Sequence, residues 1–170
     1  MALSPWSAAN CAVAFACIGL RPLLGQSTWD RYKPGSLATI IVREHDGVLT
    51  QFKEAPGHHT VISAEAYPTR AEVQFLGSSR ATSPERLKVL EMWAKSLGIQ
   101  VDAHKLFATE LLFREDTLTL WLPVQAVLLP HFRRELTRGD RATLLVGWVG
   151  ADGELTSIDW LFVVNEFRKE

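Results

Sequence analysis

The sequence predicts an α+β fold, either a curved antiparallel sheet or a small β-barrel of about eight strands packed by helices. Three observations support this prediction. Short runs of β-favouring residues alternate with turn signals along most of the chain. One segment, residues 84–97, has helical spacing with clear caps, and another, residues 124–138, is helical but interrupted by Pro130. No linker or repeat divides residues 26–170, which are expected to form one globular domain.

Four strands are predicted in the first half of this domain. Residues 37–42 (LATIIV) favour β-structure and are apolar on both faces, which predicts a strand inside a sheet. The Asp46-Gly47 pair predicts a tight hairpin turn, from which the chain returns through residues 48–52. The other two predicted strands are residues 59–67 and 71–76.

One helix is predicted over residues 84–97. Ser83 supplies a hydroxyl cap, Pro84 fits the first turn, and the Glu85 carboxylate lies near the positive end of the helix dipole. Apolar residues recur at helical spacing, at Leu87, Leu90, Ala94 and Leu97. The charged residues fall largely on the other, solvated face, at Arg86, Lys88, Glu91 and Lys95. Gly98 ends the helix.

The second half of the domain begins with a hairpin and the interrupted helix. Residues 110–113 and 118–122 are predicted strands around a polar turn over 114–116. In the helical segment 124–138, Pro130 either kinks one helix or starts a second.

The chain is predicted to end in a long hairpin. Its strands are residues 142–149 and 155–167, joined around residues 150–153. The last strand is apolar on both faces in its second half, so it is expected to be covered on both sides. The carboxylates at the predicted turn tips are expected to be solvated and of ordinary acidity: Glu115, Asp116 and Glu154.

Composition and charge argue against several classes of function. The 170 residues include 18 Lys and Arg against 19 Asp and Glu, a formal charge of −1, with no basic stripe. A nucleic-acid partner is therefore not expected, because phosphate neutralisation needs clustered cations. An apolar fraction of 47% with 22% charged residues is typical of a globular domain.

Residues 1–25 are predicted to be a signal peptide or an uncleaved N-terminal anchor, and they provide the only expected membrane contact. Residues 8–20 form an uncharged, mostly apolar run that is short for a transmembrane span but suits a secretory signal. A buried first helix and a misplaced start codon are the alternatives. Both cysteines, Cys11 and Cys17, lie in this segment, so the remaining domain has no thiol. The expected localisation is periplasmic or secreted.

No sequence motif identifies a reaction, a metal site or a cofactor. The histidines lack metal-ligand spacing, and neither a serine-nucleophile elbow nor a phosphate-binding glycine motif is present. The candidate ligand-binding residues lie in two short segments. Ser78, Ser79 and Arg80 are interpreted as an anion-binding loop before the helix, against the alternative of a connector with caps. Trp121 and Gln125 are candidates for a pocket wall, against ordinary core packing.

Three functions therefore remain open. The first is a non-catalytic exported module that binds a small ligand or a protein partner. The second is a small hydrolase or metal-dependent enzyme whose site is assembled from distant residues such as His59, His104 and Glu110. The third is a structural subunit that pairs with another chain through a sheet edge, most readily an uncovered edge of the terminal hairpin.

Overall fold

A computed structural model describes residues 28–54, 57–65 and 67–170. The strands are β1 (Lys33–Pro34), β2 (His59–Ile62), β3 (Thr69–Ala81), β4 (Thr109–Glu115), β5 (Leu118–Val124), β6 (Arg141–Glu154) and β7 (Ser157–Lys169). The helices are α1 (Thr28–Arg31), α2 (Leu37–Glu54), α3 (Pro84–Ser96), α4 (Ala103–Leu106) and α5 (Leu129–Glu135). The predicted signal or anchor, residues 1–25, lies outside the described residues and stays a prediction.

The strands form one mixed, mostly antiparallel sheet in the order β1-β3-β4-β5-β7-β6-β2. Strand β3 pairs with both β4 and β6, so the sheet partly closes into a ring. Among the described strands, parallel pairing joins β1 to β3 and β5 to β7. The predicted α+β fold with a curved, largely antiparallel sheet is confirmed, although the described residues form seven strands rather than about eight.

Helix α2 stands where two strands were predicted. The strand predictions for residues 37–42 and 48–52 are wrong, and Asp46-Gly47 lies inside the helix rather than in a hairpin turn. The buried side chains of α2 recur at helical spacing and join the main core: Leu37, Ile40, Val48 and Phe52. The prediction followed the β-propensity of LATIIV, which this packing overrides.

The N-terminus of α2 is capped by Glu115 at the end of β4. Its Oε1 accepts a hydrogen bond from the Leu37 N–H at 3.0 Å. Its Oε2 accepts from the Ala38 N–H and from the Ser36 hydroxyl, each at 2.9 Å. The expectation of a solvated Glu115 is therefore wrong, because this buried carboxylate satisfies helix N–H groups at the positive end of the dipole.

Helix α3 is confirmed close to its predicted bounds. The Ser83 side chain accepts a hydrogen bond from the Arg86 N–H at 3.3 Å, and Gly98 beyond the helix has a φ of 71°. The apolar face of α3 packs with β6, β7 and α4 in a second core cluster. One expectation for this helix is wrong, since the Arg86 side chain is buried rather than solvated.

The terminal hairpin is confirmed, but its turn lies at Leu155-Thr156 rather than over residues 150–153. Residues 150–153 belong to β6, where β2 approaches closely. A Cβ on Gly150 would lie 2.0 Å from the Val61 carbonyl oxygen, and its φ is 149°, so this glycine permits close strand pairing rather than a turn.

Strand β7 contributes to two cores, as its two apolar faces predict. Phe162 and Val164 belong to the main core with α2 and α5, whereas Leu161 and Val163 belong to the cluster beneath α3. The middle of β7, residues 161–165, is therefore covered on both sides.

The remaining helices are short. The interrupted helical segment is confirmed as a 3₁₀ helix over Ala126–Leu128 followed by α5, with Pro130 in the first turn of α5, where its missing N–H breaks no helical hydrogen bond. None of the helices in the described ranges is both long enough and apolar enough to cross a membrane.

We expect Glu115→Ala to lower the free energy of unfolding by about 2 kcal/mol, because it leaves buried N–H groups of α2 without acceptors. Urea denaturation followed by tryptophan fluorescence measures the change. Glu154→Ala is the matched control, since that side chain is exposed, and its effect should stay within about 0.5 kcal/mol. Equal unfolding midpoints for the two variants would contradict the capping role.

Candidate functional site

Three of the predicted site residues, Ser78, Ser79 and Arg80, lie on the exposed second half of β3. The interpretation of these residues as a loop before α3 is wrong. The chain stays paired with β4 here, with Arg80 opposite Glu110, so the segment is held by ladder hydrogen bonds. Whether these residues bind a ligand stays a prediction.

This part of β3 is a bulge centred on Gly77. The register shifts between Phe75 and Ser79, so three residues of β3 lie opposite Leu112 alone. Gly77 has a φ of 77°, and a Cβ there would lie 2.7 Å from the Cβ of Arg138. Glycine is therefore required both by the backbone conformation and by the close approach of Arg138. From Gly77 onward the residues of β3 are exposed.

Arg80 and Trp121, predicted as candidates in separate segments, are brought together beside the bulge. The Arg80 guanidinium lies over the Trp121 ring, 4.4 Å from its centroid, and its Nε donates to Glu110 Oε2 at 2.6 Å. The Arg80 side chain is 44% exposed, and no described residue accepts a hydrogen bond from its Nη groups. The guanidinium is thus held in place while part of it faces solvent. We call Ser78, Ser79, Arg80 and Trp121 the bulge site.

Glu110 is the fully buried partner of this arginine and of a second one. Its Oε1 lies 2.9 Å from Arg86 Nε, although the N–H does not point at the oxygen well enough for a hydrogen bond. Arg86 also donates from Nη2 to the Trp121 carbonyl at 3.0 Å and lies 3.5 Å from Asp159 Oδ2. Each buried charge therefore has at least one opposite charge beside it.

Burial shifts the acidity of two carboxylates in this cluster. It raises the pKa of Glu110 above the usual value, while Arg86 and then Arg80 act in the opposite direction. Burial likewise raises the pKa of Asp159, opposed by Arg86 and reinforced by the negative charge of Asp152. Both groups therefore take up protons at a higher pH than exposed carboxylates do.

Arg86 also fills a gap in the ring between β5 and β7. These strands pair only at Val124 and Val164. Pro123 has no N–H to donate, which removes one ladder hydrogen bond from β5. The Arg86 guanidinium lies in this region, bonded to the carbonyl of Trp121 on β5 and close to Asp159 on β7. A side chain from α3 thus replaces part of the missing strand pairing.

Gln125, the fifth predicted site residue, is buried and bonded inside the protein. Its Nε2 donates to Asn165 Oδ1 at 3.0 Å, and Asn165 Nδ2 donates to the Tyr32 hydroxyl at 3.1 Å. This network joins the end of β5 to β7 and to the segment after α1. The Gln125 amide is therefore satisfied by the fold itself.

The residues of the enzyme alternative have separate surroundings. The His59 ring packs on Phe52 with centroids 5.5 Å apart, and His104 lies 4.0 Å from Glu91. Glu110 contacts the two arginines described above. Within the described ranges, no group of three or more His, Cys, Asp or Glu side chains could hold a metal ion.

The charged cluster consists of Glu110, Arg80, Arg86 and Asp159. Two of these residues were not predicted as site residues from the sequence. Arg86 falls on the polar side of α3 by spacing, and Asp159 is the one polar residue within the apolar run 158–164. The partners of both lie on other elements of the fold, distant in sequence, so no local pattern could identify them. An aspartate within an apolar run was the one available signal, because such a residue needs a partner if its strand is covered.

We expect the free energy of unfolding of the wild type, relative to Glu110→Gln, to fall as pH rises from about 4 to about 7. A carboxyl whose pKa is raised by folding stabilises the fold below its unfolded pKa, and this contribution is lost as pH rises through the folded value. Urea denaturation across this range measures the difference. Glu72→Gln, exposed on the same sheet, is the control. A difference that stays constant or grows with pH contradicts the raised pKa of Glu110.

The chain matches no protein-family model, no curated protein and no solved structure. The function proposed below therefore rests on the contacts of the bulge site.

Proposed function

We propose that this domain is a non-catalytic binding module that holds a small anion, or an anionic group of a larger molecule, at the bulge site. The observation that carries the proposal is the Arg80 guanidinium, stacked on Trp121 and bonded to buried Glu110 while its side chain stays 44% exposed. Such an arginine is oriented before the ligand arrives, which reduces the entropic cost of binding.

The chemistry of the surrounding residues favours a carboxylate, sulfate or phosphate group. A guanidinium presents paired N–H donors that match these oxyanions. Ser78 and Ser79 are exposed on the same end of β3, with Ser79 on the opposite face of the strand from Arg80, and Arg138 packs against Gly77 at the same bulge. A hydroxyl donor and a second cation would add to the attraction.

A single exposed arginine with its neighbours supports weak binding of a simple anion, with a Kd on the order of 1 mM. A natural ligand would gain affinity from contacts with the Trp121 ring or with neighbouring surface. A planar or apolar group beside the anion suits that ring.

We expect sulfate, phosphate or citrate, titrated at constant ionic strength, to shift the NMR signals of Trp121 and of residues 77–81. Arg80→Gln should weaken binding by about tenfold or more, because it removes the charge and the paired donors. Arg141→Gln is the matched control, an exposed arginine on β6 that forms ion pairs with Glu72 and Glu170. Equal weakening in both variants, or no shift near Trp121, contradicts an anion site here.

We further propose that the domain acts outside the cytoplasm, in the periplasm or after secretion. The support is the uncharged apolar run over residues 8–20. Expression of the full chain in a bacterial host should give an exported form beginning at Gln26, identified by intact mass and N-terminal sequencing. Full-length protein retained in the cytoplasm contradicts export.

A further inference from the structure

The Glu110 carboxylate is shared by two arginines with different exposure. Oε2 accepts from Arg80, whose side chain is 44% exposed, and Oε1 lies beside Arg86, whose side chain is 7% exposed. Glu110 itself has no exposed surface. The solvent-facing guanidinium of the bulge site is therefore bonded directly to a carboxylate that solvent does not reach.

An anion bound to the Nη groups of Arg80 would add a negative charge close to this carboxylate. Burial reduces screening, so the two negative charges repel each other more strongly than they would in water. A proton on Glu110 removes that repulsion, while stacking on Trp121 continues to hold the Arg80 guanidinium. The anion and the ionised carboxylate thus compete for the same arginine.

The arrangement also tolerates a neutral Glu110. Arg86 would keep its hydrogen bond to the Trp121 carbonyl at 3.0 Å and its approach of 3.5 Å to Asp159. The buried guanidinium would therefore retain both an acceptor and an opposite charge. Protonation of Glu110 does not leave Arg86 without a partner, which is the usual reason that breaking a buried ion pair is costly.

We propose that anion binding at Arg80 is coupled to proton uptake by Glu110, so that the domain binds its anion more tightly in acid and releases it as the pH rises. This inference rests on the proposed function of the bulge site. The raised pKa of Glu110 supports it, since burial already favours the protonated form. By linkage, protonation tightens anion binding by the same factor as anion binding favours protonation.

The effect of Glu110 on the pH dependence of anion binding must be distinguished from the effects of the other charged groups around it. Those that face it, or face its neighbours, come from β3, α3, β7, β6 and the residue before β2: Arg80, Arg86, Asp159, Asp152 and His58. Asp159 contacts Arg86 rather than Arg80, and His58 is paired with Asp152 at 3.0 Å. Variants of Asp159 and His58 therefore serve as matched controls.

The first test measures sulfate affinity of the full chain by NMR at about pH 7.5 and about pH 5, at constant ionic strength, because sulfate keeps its charge over this range. We expect the wild type to bind sulfate about tenfold more tightly at the lower pH. Glu110→Gln should bind with equal affinity at both values. Asp159→Asn and His58→Gln should retain most of the pH dependence.

The second test needs no variant. The carboxyl ¹³C signal of Glu110 in the wild type reports its titration directly, and saturating sulfate should raise its pKa by about one unit, the shift that corresponds to a tenfold change in affinity. Binding of sulfate that requires Arg80 but has the same affinity at both pH values, with an unchanged Glu110 titration, overturns the coupling and leaves the proposed function standing. Absence of sulfate binding at either pH overturns both.

Discussion

The buried charge of Glu110 places a constraint on everything around it. A carboxylate without solvent contact is costly unless opposite charge lies beside it, and Arg80 and Arg86 supply that charge from two different elements. Arg86 fixes helix α3 over the gap between β5 and β7, and Arg80 connects the exposed end of β3 to Trp121 on β5, across β4. The contacts of Glu110 with its two arginines thus connect helix α3, the strand pair β3–β4 and the incomplete pairing between β5 and β7.

Several irregular features of the sheet lie near this charge cluster. The bulge at Gly77 follows the regular half of β3, Pro123 lies in β5, and β5 meets β7 at a single register pair. Strand β6 pairs along most of its length with β7 on one side, with register shifts between Leu145 and Val146 and between Trp148 and Gly150, and with β3 and β2 on the other side. Proteins depart from regular geometry mainly where function or strain requires it. The irregular end of β3 carries the exposed polar groups of the bulge site.

The sequence predicted the elements whose signals are local. Ser83, Pro84 and Gly98 mark the ends of α3, and Pro130 divides the helical segment, because caps and proline act on their own neighbours. Helix α2 was missed because the β-propensity of residues 37–42 dominated the prediction, while the buried carboxylate that holds its N-terminus, Glu115, lies 78 residues from Leu37. Arg80 and Trp121 were each candidates from their local sequence, but their contact depends on strand order, which no local pattern specifies. Arg86 and Asp159 were not predicted for the same reason, because their contacts also join elements that are distant in sequence.

The distant cap on α2 has a consequence for synthesis of the chain. The helix is complete in sequence by Glu54, yet the carboxylate that satisfies its first N–H groups is the last residue of β4. During translation, α2 therefore leaves the ribosome long before its cap, with an exposed apolar face and no β4 to receive it. Contacts so far apart in sequence slow the folding of a domain. A nascent chain of this protein therefore cannot complete the N-terminus of α2 until residue 115 at the end of β4 has emerged.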